Sequence, residues 1–222
     1  LAAIYSAMLA SVHRATSVHY VATSVETSSS EATHLHFDAY VGTSAGTNKA
    51  TWSGSGHSGA FTIITVGSAI YLKADVNSLV DFFAIVPALN ASTYASRWIS
   101  FTPSDKLYSS LRSDLTVASM ATSLAFRPTS AVTKASTIVL HGKPSSSATA
   151  PAGEVASAVM TISRASKRPI TQVFHASYEG ATEESTISFS QWDTAILPTA
   201  PIASITWDSI AAAITPTTTA AG

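Results

Sequence analysis

Residues 59–75, Gly-Ala-Phe-Thr-Ile-Ile-Thr-Val-Gly-Ser-Ala-Ile-Tyr-Leu-Lys-Ala-Asp, leave the chain few folds to choose from. Two β-rich runs, 61–66 and 69–74, meet at Gly67-Ser68. A two-residue turn that begins with glycine closes such runs into an antiparallel hairpin. Further strands of the same kind stand before and after it, whereas the clear helical periodicities are gathered between residues 77 and 124. A sheet must bury its apolar face, and a block of helices inserted between two sets of strands can cover it. The expected class is therefore α+β: one large curved antiparallel β-sheet with helices over its concave face.

Along the chain, Leu1, Tyr5, Met8, Leu9 and Val12 recur at three- and four-residue steps and predict an amphipathic helix ending near Arg14. Alternation then predicts a strand over 18–25 with Val18, Tyr20 and Ala22 on one face, and another over 35–41 with Leu35, Phe37, Ala39 and Val41 on one face. Ser28-Ser29-Ser30 is the expected turn between them, and a shorter strand over 49–53 leads to the loop 54–59. In the helical block, Asn77 is the expected N-cap of a helix over 77–86 that carries Leu79, Phe82, Phe83 and Val86 and stops at Pro87. A polar loop and a short strand over 97–101 follow. Thr102-Pro103-Ser104-Asp105 then opens a helix with Leu107, Tyr108 and Leu111 on one side. Asp114 opens another, with Val117, Met120, Ala121 and Leu124 sharing a face, and Arg127-Pro128 ends it. Strands return over 132–140, 154–163, 170–177 and 184–189; the irregular tail holds a short helix over 207–214 and a disordered end over 215–222. No fixed-period repeat and no linker divides the chain, so a single domain over 1–222 is expected.

Charged residues make up only 11% of the 222 positions and the net charge is −1. An ordinary soluble protein has roughly 25% charged residues. The basic residues are scattered, which argues against a surface that tracks nucleic-acid phosphates. No apolar run reaches the roughly 18 to 20 residues of a membrane-spanning helix; the nearest, 79–89, is short and contains Asp81. The absence of cysteine excludes disulfides, thiolate metal sites and cysteine nucleophiles.

Several patterns invite a chemical reading. Gly54–x–Gly56–x–x–Gly59 spells a dinucleotide-binding fingerprint, yet a strand follows where that motif needs a helix, so a hairpin loop is the favoured reading. His34 and His36 share a strand face, and His19 on a neighbouring strand is a third candidate zinc ligand. Both lie opposite Leu35 and Phe37, however, and should point to solvent. No Gly-x-Ser-x-Gly marks a nucleophilic serine, and Asp81, Asp105, Asp114, Glu154, Glu183 and Glu184 form no evident acid–base pair. Neither catalytic residues nor a cofactor nor a metal is expected. Asn90-Ala91-Ser92 fits a glycosylation sequon. Tyr20, Phe37, Ile63, Leu72, Phe82, Phe83, Met120, Ile138, Met160 and Val173 are most simply core. Alternatively, a sheet curved around helices leaves its interior part empty and these side chains line an apolar pocket, a reading favoured by small inward residues such as Ala22, Ala39 and Ala158.

Val66-Gly67-Ser68-Ala69-Ile70-Tyr71-Leu72-Lys73 resembles the central hairpin of the LolA-like lipoprotein carriers, especially the LppX/LprG type of actinobacterial lipoproteins. Arg97-Trp98-Ile99, Lys106-Leu107-Tyr108-x-x-Leu111, Arg168-Pro169-Ile170 and Phe189-Ser190-Gln191-Trp192-Asp193 follow in that group's order, so the resemblance spans nearly the whole chain. It implies a half-barrel sheet whose open side is crossed by helices, enclosing a cavity that holds acyl chains of lipids or lipoproteins outside the cytoplasm. Tyr20, Phe37, Ile63, Leu72, Met120, Ile138, Met160 and Val173 would form the wall, and Leu79, Phe82 and Phe83 a movable lid. Such proteins are tethered to the membrane surface by a lipidated N-terminal cysteine; here the alternatives are a tether ahead of Leu1 or free secretion. The expectation is a monomeric, non-enzymatic, extracytoplasmic carrier with a lipid or acyl chain as partner. Its rivals are a cell-surface or signalling module with a filled core and a secreted hydrolase.

Overall fold

A computed structural model describes residues 1–28, 31–112, 115–144 and 155–214. Strands β1 (Ser17–Ser28), β2 (Glu31–Gly42), β3 (Ala45–Gly54), β4 (His57–Val66) and β5 (Ala69–Ala74) form one antiparallel meander. A second comprises β7 (Phe126–Thr133), β8 (Thr137–Pro144), β9 (Val155–Ser163), β10 (Pro169–Tyr178) and β11 (Ala181–Ser190). Pairing of β1 with β11 joins them, and β6 (Ile99–Phe101) and the parallel β12 (Ile205–Thr206) extend the far edge. All twelve strands thus belong to one open, curled sheet in the order β12-β6-β5-β4-β3-β2-β1-β11-β10-β9-β8-β7.

Turn chemistry sets the register of the first meander. Gly67 has φ +60° at the first turn position between β4 and β5, as the sequence predicts. Between β3 and β4, Ser55 and Gly56 have φ +52° and +76°; positive φ at both central positions suits the right-handed twist of a hairpin. The glycine-rich run 54–59 is therefore a hairpin connection. Gly59 also lets another element approach: a Cβ there would lie 2.5 Å from Ser78 Oγ and 2.6 Å from Trp52 Nε1.

The helices are α1 (Ala2–His13), a π-helical turn (Ser78–Phe82), α2 (Ala88–Tyr94), α3 (Tyr108–Arg112), α4 (Val117–Ser123) and α5 (Trp207–Ile214). The helix expected over 77–86 is cut to that single π-helical turn. Asn77 does not cap it: its backbone is already helical, and its side-chain amide donates to the Ser58 carbonyl at 2.7 Å. Asp75 caps instead, accepting from the Ser78 N–H at 2.7 Å and the Ala60 N–H at 2.6 Å, which ties the turn to β4. The expected polar loop after Pro87 is α2, which has no apolar stripe because only Ala91 is buried. Asp105 accepts from the Thr102 N–H at 2.6 Å, but the α-helix that follows starts only at Tyr108. A reciprocal Thr116–Ser119 capping box opens α4.

The single strand expected over 132–140 is two, β7 and β8, turning through residues 134–136. Pro128 does not end a helix but lies within β7, an edge strand, beside a register shift. There its missing N–H costs no ladder bond. The expectations for Ser29 and Ser30, for Asp114 as a helix start, for Glu154 and for the end over 215–222 fall outside the described residues.

One face of the sheet, the inner face, carries the helices. Two apolar clusters lie on it. The first joins Met8 and Val12 of α1 and Met120 of α4 to Val18, Val41, Leu140 and Met160; the second joins Leu79, Ala91, Leu111 and Ile210 to Phe61, Leu72, Ile99 and Phe101.

Candidate functional site

Between the two clusters the inner face is not filled. A cavity of about 750 Å³ lies there, within the few hundred to a thousand Å³ typical of ligand sites. The inward side chains beneath and beside it form three rows of cross-strand partners. The innermost row runs Phe189, Tyr20, Ala39, Asn48, Ile63, Leu72; the next Ile187, Ala22, Phe37, Ala50, Phe61, Ala74; the third Ser185, Ser24, Leu35, Trp52. Apolar floor residues give way to polar ones along β1 and β11, because alternation keeps Tyr20, Ala22 and Ser24 on one face while hydrophobicity falls towards the strand end. Thr23 and Glu183 are exposed at that end, which is the mouth.

The roof is built from short elements. Phe82, Phe83 and Ile85 come from the π-helical turn and the segment after it, Leu107 and Leu111 from around α3, and Leu115, Met120 and Leu124 from around α4. The far end is closed where Thr116 bridges Gly42 and the Leu115 carbonyl lies so near Gly46 that a Cβ there would stand 2.3 Å from it. At the mouth, Phe82 packs on Trp52 and Phe61 at ring separations of 5.7 and 4.9 Å, and Phe83 meets Phe61 edge-on at 4.8 Å. Trp52 Nε1 donates to Ser78 Oγ at 2.9 Å, and His57 Nδ1 faces Asp81 Oδ2 at 2.8 Å. These polar bonds hold the base of the turn on the β3–β4 hairpin, while Phe82 remains 39% exposed.

Of the side chains expected to form wall and lid, Tyr20, Phe37, Ile63, Met120, Phe82 and Phe83 line the cavity. Leu72, Leu79, Ile138 and Met160 do not; they are buried within the two clusters, covered by other side chains. Val173 is on the wrong face. Its partners are Thr186 and Val159, whereas Gln172 pairs with the inward Ile187 and Met160. An irregularity between Pro169 and Thr171 shifts the register there, so alternation counted along β10 loses its phase. Of the small inward residues, Ala22 lines the cavity, while Ala39 and Ala158 are buried in the first cluster.

The sequence reading missed Asn48. It falls one residue before the strand expected over 49–53, in a Thr-Asn-Lys run that looks like loop, and only its pairing with Ala39 and Ile63 turns it inward. Leu35 and Leu111 were legible as facing residues, but their proximity depends on pairing between distant segments.

The histidines lie outside this site. His34 and His36 are exposed on the outer face. His19 stacks on Tyr40 at 4.3 Å, with Nε2 at 2.9 Å from Asp38 Oδ1 and Nδ1 at 2.8 Å from Ser190 Oγ. These contacts link β11, β1 and β2 as cross-strand neighbours, and none of the four residues lines the cavity. Among the described residues no three His, Cys, Asp or Glu side chains are grouped to hold a metal. Beyond β11, Asp193 accepts from the Thr16 N–H at 2.8 Å and pairs with Arg168. The Thr16 bond, against partial desolvation and with help from the Arg168 guanidinium, holds its carboxyl below the usual range.

No family model and no curated protein sequence matches the chain. Among solved structures it is similar to the Mycobacterium tuberculosis lipoprotein LppX, at 12% identity and TM-score 0.44 over 87% of this chain and 95% of that one. It is similar also to a LolA superfamily protein from Nitrosomonas europaea, at 11% identity and TM-score 0.34 over 89% and 94% of the two chains. A third is a putative outer membrane lipoprotein-sorting protein domain from Vibrio parahaemolyticus, at 10% identity and TM-score 0.31 over 87% and 92%.

Proposed function

We propose that the chain binds the apolar part of a lipid in this cavity and carries it outside the cytoplasm. The observation that supports this reading is the cavity itself: a floor of Tyr20, Phe37 and Ile63, a roof of Phe83, Met120 and Leu111, and a polar mouth. Each methylene moved from water into such a space gains about 0.8 kcal/mol, so an acyl chain binds without a reacting group. Among the described residues the lining includes no lysine, arginine or histidine, and Glu183 stands at the mouth, which favours an uncharged headgroup over an anionic one.

Entry requires the roof to move. In this reading Leu79, fully buried, anchors the π-helical turn, and Phe82 and Phe83 swing from it. Ala84 has φ +51°, so the chain changes direction immediately after the two rings. A membrane-surface tether and a monomeric state complete the reading as parts of the proposal.

The test combines organic extraction of the purified protein, mass spectrometry of the extract and titration with the uncharged fluorescent probe N-phenyl-1-naphthylamine. The expected result is a co-purifying lipid, probe binding that this lipid competes away, and at least about tenfold weaker probe binding by Phe83→Asp, which places a charge on the cavity wall. No lipid in the extract together with no probe signal from the wild-type protein overturns the reading.

A further inference from the structure

The inner floor row contains one carboxamide. Asn48 stands between Ala39 and Ile63, with Tyr20 and Phe189 further along the same row, and it lines the cavity. Its Oδ1 is buried and has no hydrogen-bond partner among the described residues. As placed, the acceptor is left unsatisfied, and a hydrocarbon guest beside the carboxamide would leave it so. A leucine or valine at this position would avoid that loss, so a plain acyl chain gives the cavity no use for a carboxamide here.

Building on the carrier reading, we propose that the guest is a lipid whose apolar body is interrupted by a hydroxyl, and that Asn48 receives it. A carboxamide is both acceptor and donor, and a hydroxyl answers both functions: its O–H donates to Oδ1 and its oxygen accepts from the Nδ2 amide. A ketone or ester carbonyl serves only the amide and leaves Oδ1 unpaired. A carboxylate or phosphate at this depth brings charge into a lining whose described residues offer no cation.

The register also places the hydroxyl along the guest. Ser24 at the mouth and Tyr20 in the row of Asn48 are four residues apart on β1, which corresponds to about 13 Å of strand. An extended alkyl chain advances about 1.3 Å per carbon, so a headgroup at the mouth puts the carbon opposite Asn48 about ten positions in.

The experiment compares three uncharged probes, methyl stearate, methyl 2-hydroxystearate and methyl 12-hydroxystearate, by displacement of N-phenyl-1-naphthylamine from the full chain and from Asn48→Leu. The wild-type protein should bind the 12-hydroxy ester about five- to tenfold more tightly than either other ester. Asn48→Leu should bind all three alike, and methyl stearate at least as tightly as the wild type does. Asn48→Ala serves the same comparison if the leucine variant does not fold. Equal binding of the three esters by the wild-type protein, or a 12-hydroxy preference that survives removal of the carboxamide, overturns the assignment while leaving the carrier reading intact. Failure of all three to displace the probe overturns the carrier reading and the assignment with it.

Discussion

Under α1 the inner face of the sheet is packed solid, whereas beside the cluster that the π-helical turn and α3 cover it is left with a gap. The twelve residues of α1 make a rod about 18 Å long that brings Met8 and Val12, both fully buried, into one cluster with Val18, Val41, Leu140 and Met160. The π-helical turn and α3 have five residues each, about a third to a half of that length, and their apolar side chains reach the sheet only at the margins of the gap. The same curled sheet is thus covered without a gap where its helix is long and left with one at the margin of the short elements. What differs is how much helix is available to lie across the strands.

The sharpest way to break this comparison is to truncate one side chain in each half. Leu140→Ala should destabilise the protein by about 2–5 kcal/mol, because the surrounding cluster cannot collapse onto the void. Ile63→Ala removes a comparable side chain from a wall that already faces open space, and should cost less than about 2 kcal/mol. Urea midpoints of the two variants measure the difference; equal losses would mean that the gap is closed in solution.

Enlarging a side chain gives a smaller effect of the same kind. Ala158→Leu in the filled half should cost about 1–3 kcal/mol through overpacking. Ala22→Leu projects into the cavity and should leave stability within about 0.5 kcal/mol while lowering N-phenyl-1-naphthylamine uptake. If Ala22→Leu is as costly as Ala158→Leu, the two halves are equally full.

The smallest expected effect concerns the clasp that ties the segment after β11 back to the start of β1. The Asp193 carboxyl is lowered in the folded state below its unfolded value of about 3.9. Its contribution is therefore complete well above that value and is lost as pH falls through the folded-state value. Asp193 and Arg168 are partly solvent-exposed, so the contribution should be below about 1 kcal/mol. Urea unfolding of wild type and Asp193→Asn at pH 6 and pH 3 should show the wild-type advantage shrinking at the lower pH, and an advantage unchanged between the two would contradict the assignment.

Much of the architecture was legible in local pattern. The Gly67-Ser68 turn, the shared faces of Tyr20 with Ala22 and of Leu35 with Phe37, and the apolar stripe of α1 are properties of neighbouring residues, and the structure contains them all. Reading failed where the pattern was weak or out of phase. Residues 88–94 form a helix with almost no buried side, β7 is a largely exposed edge strand, and the irregularity near Ile170 reverses the faces counted along β10 and turns Val173 outward. The cavity was legible only as one of two outcomes, since the same apolar residues serve a wall or a core.

Taken alone, then, the order of residues prescribes which segments are strands, where most hairpins turn and which side chains share a face, because those depend on steric and solvation preferences acting within a few positions. It does not prescribe that Phe37 and Ile63 face open space while Leu72 and Met160 are covered, nor that Asn48 sits among apolar neighbours. Those outcomes belong to the tertiary structure. They arise from register between strands far apart in sequence, from the curl of the sheet and from how far each helix reaches across it, none of which a single segment encodes.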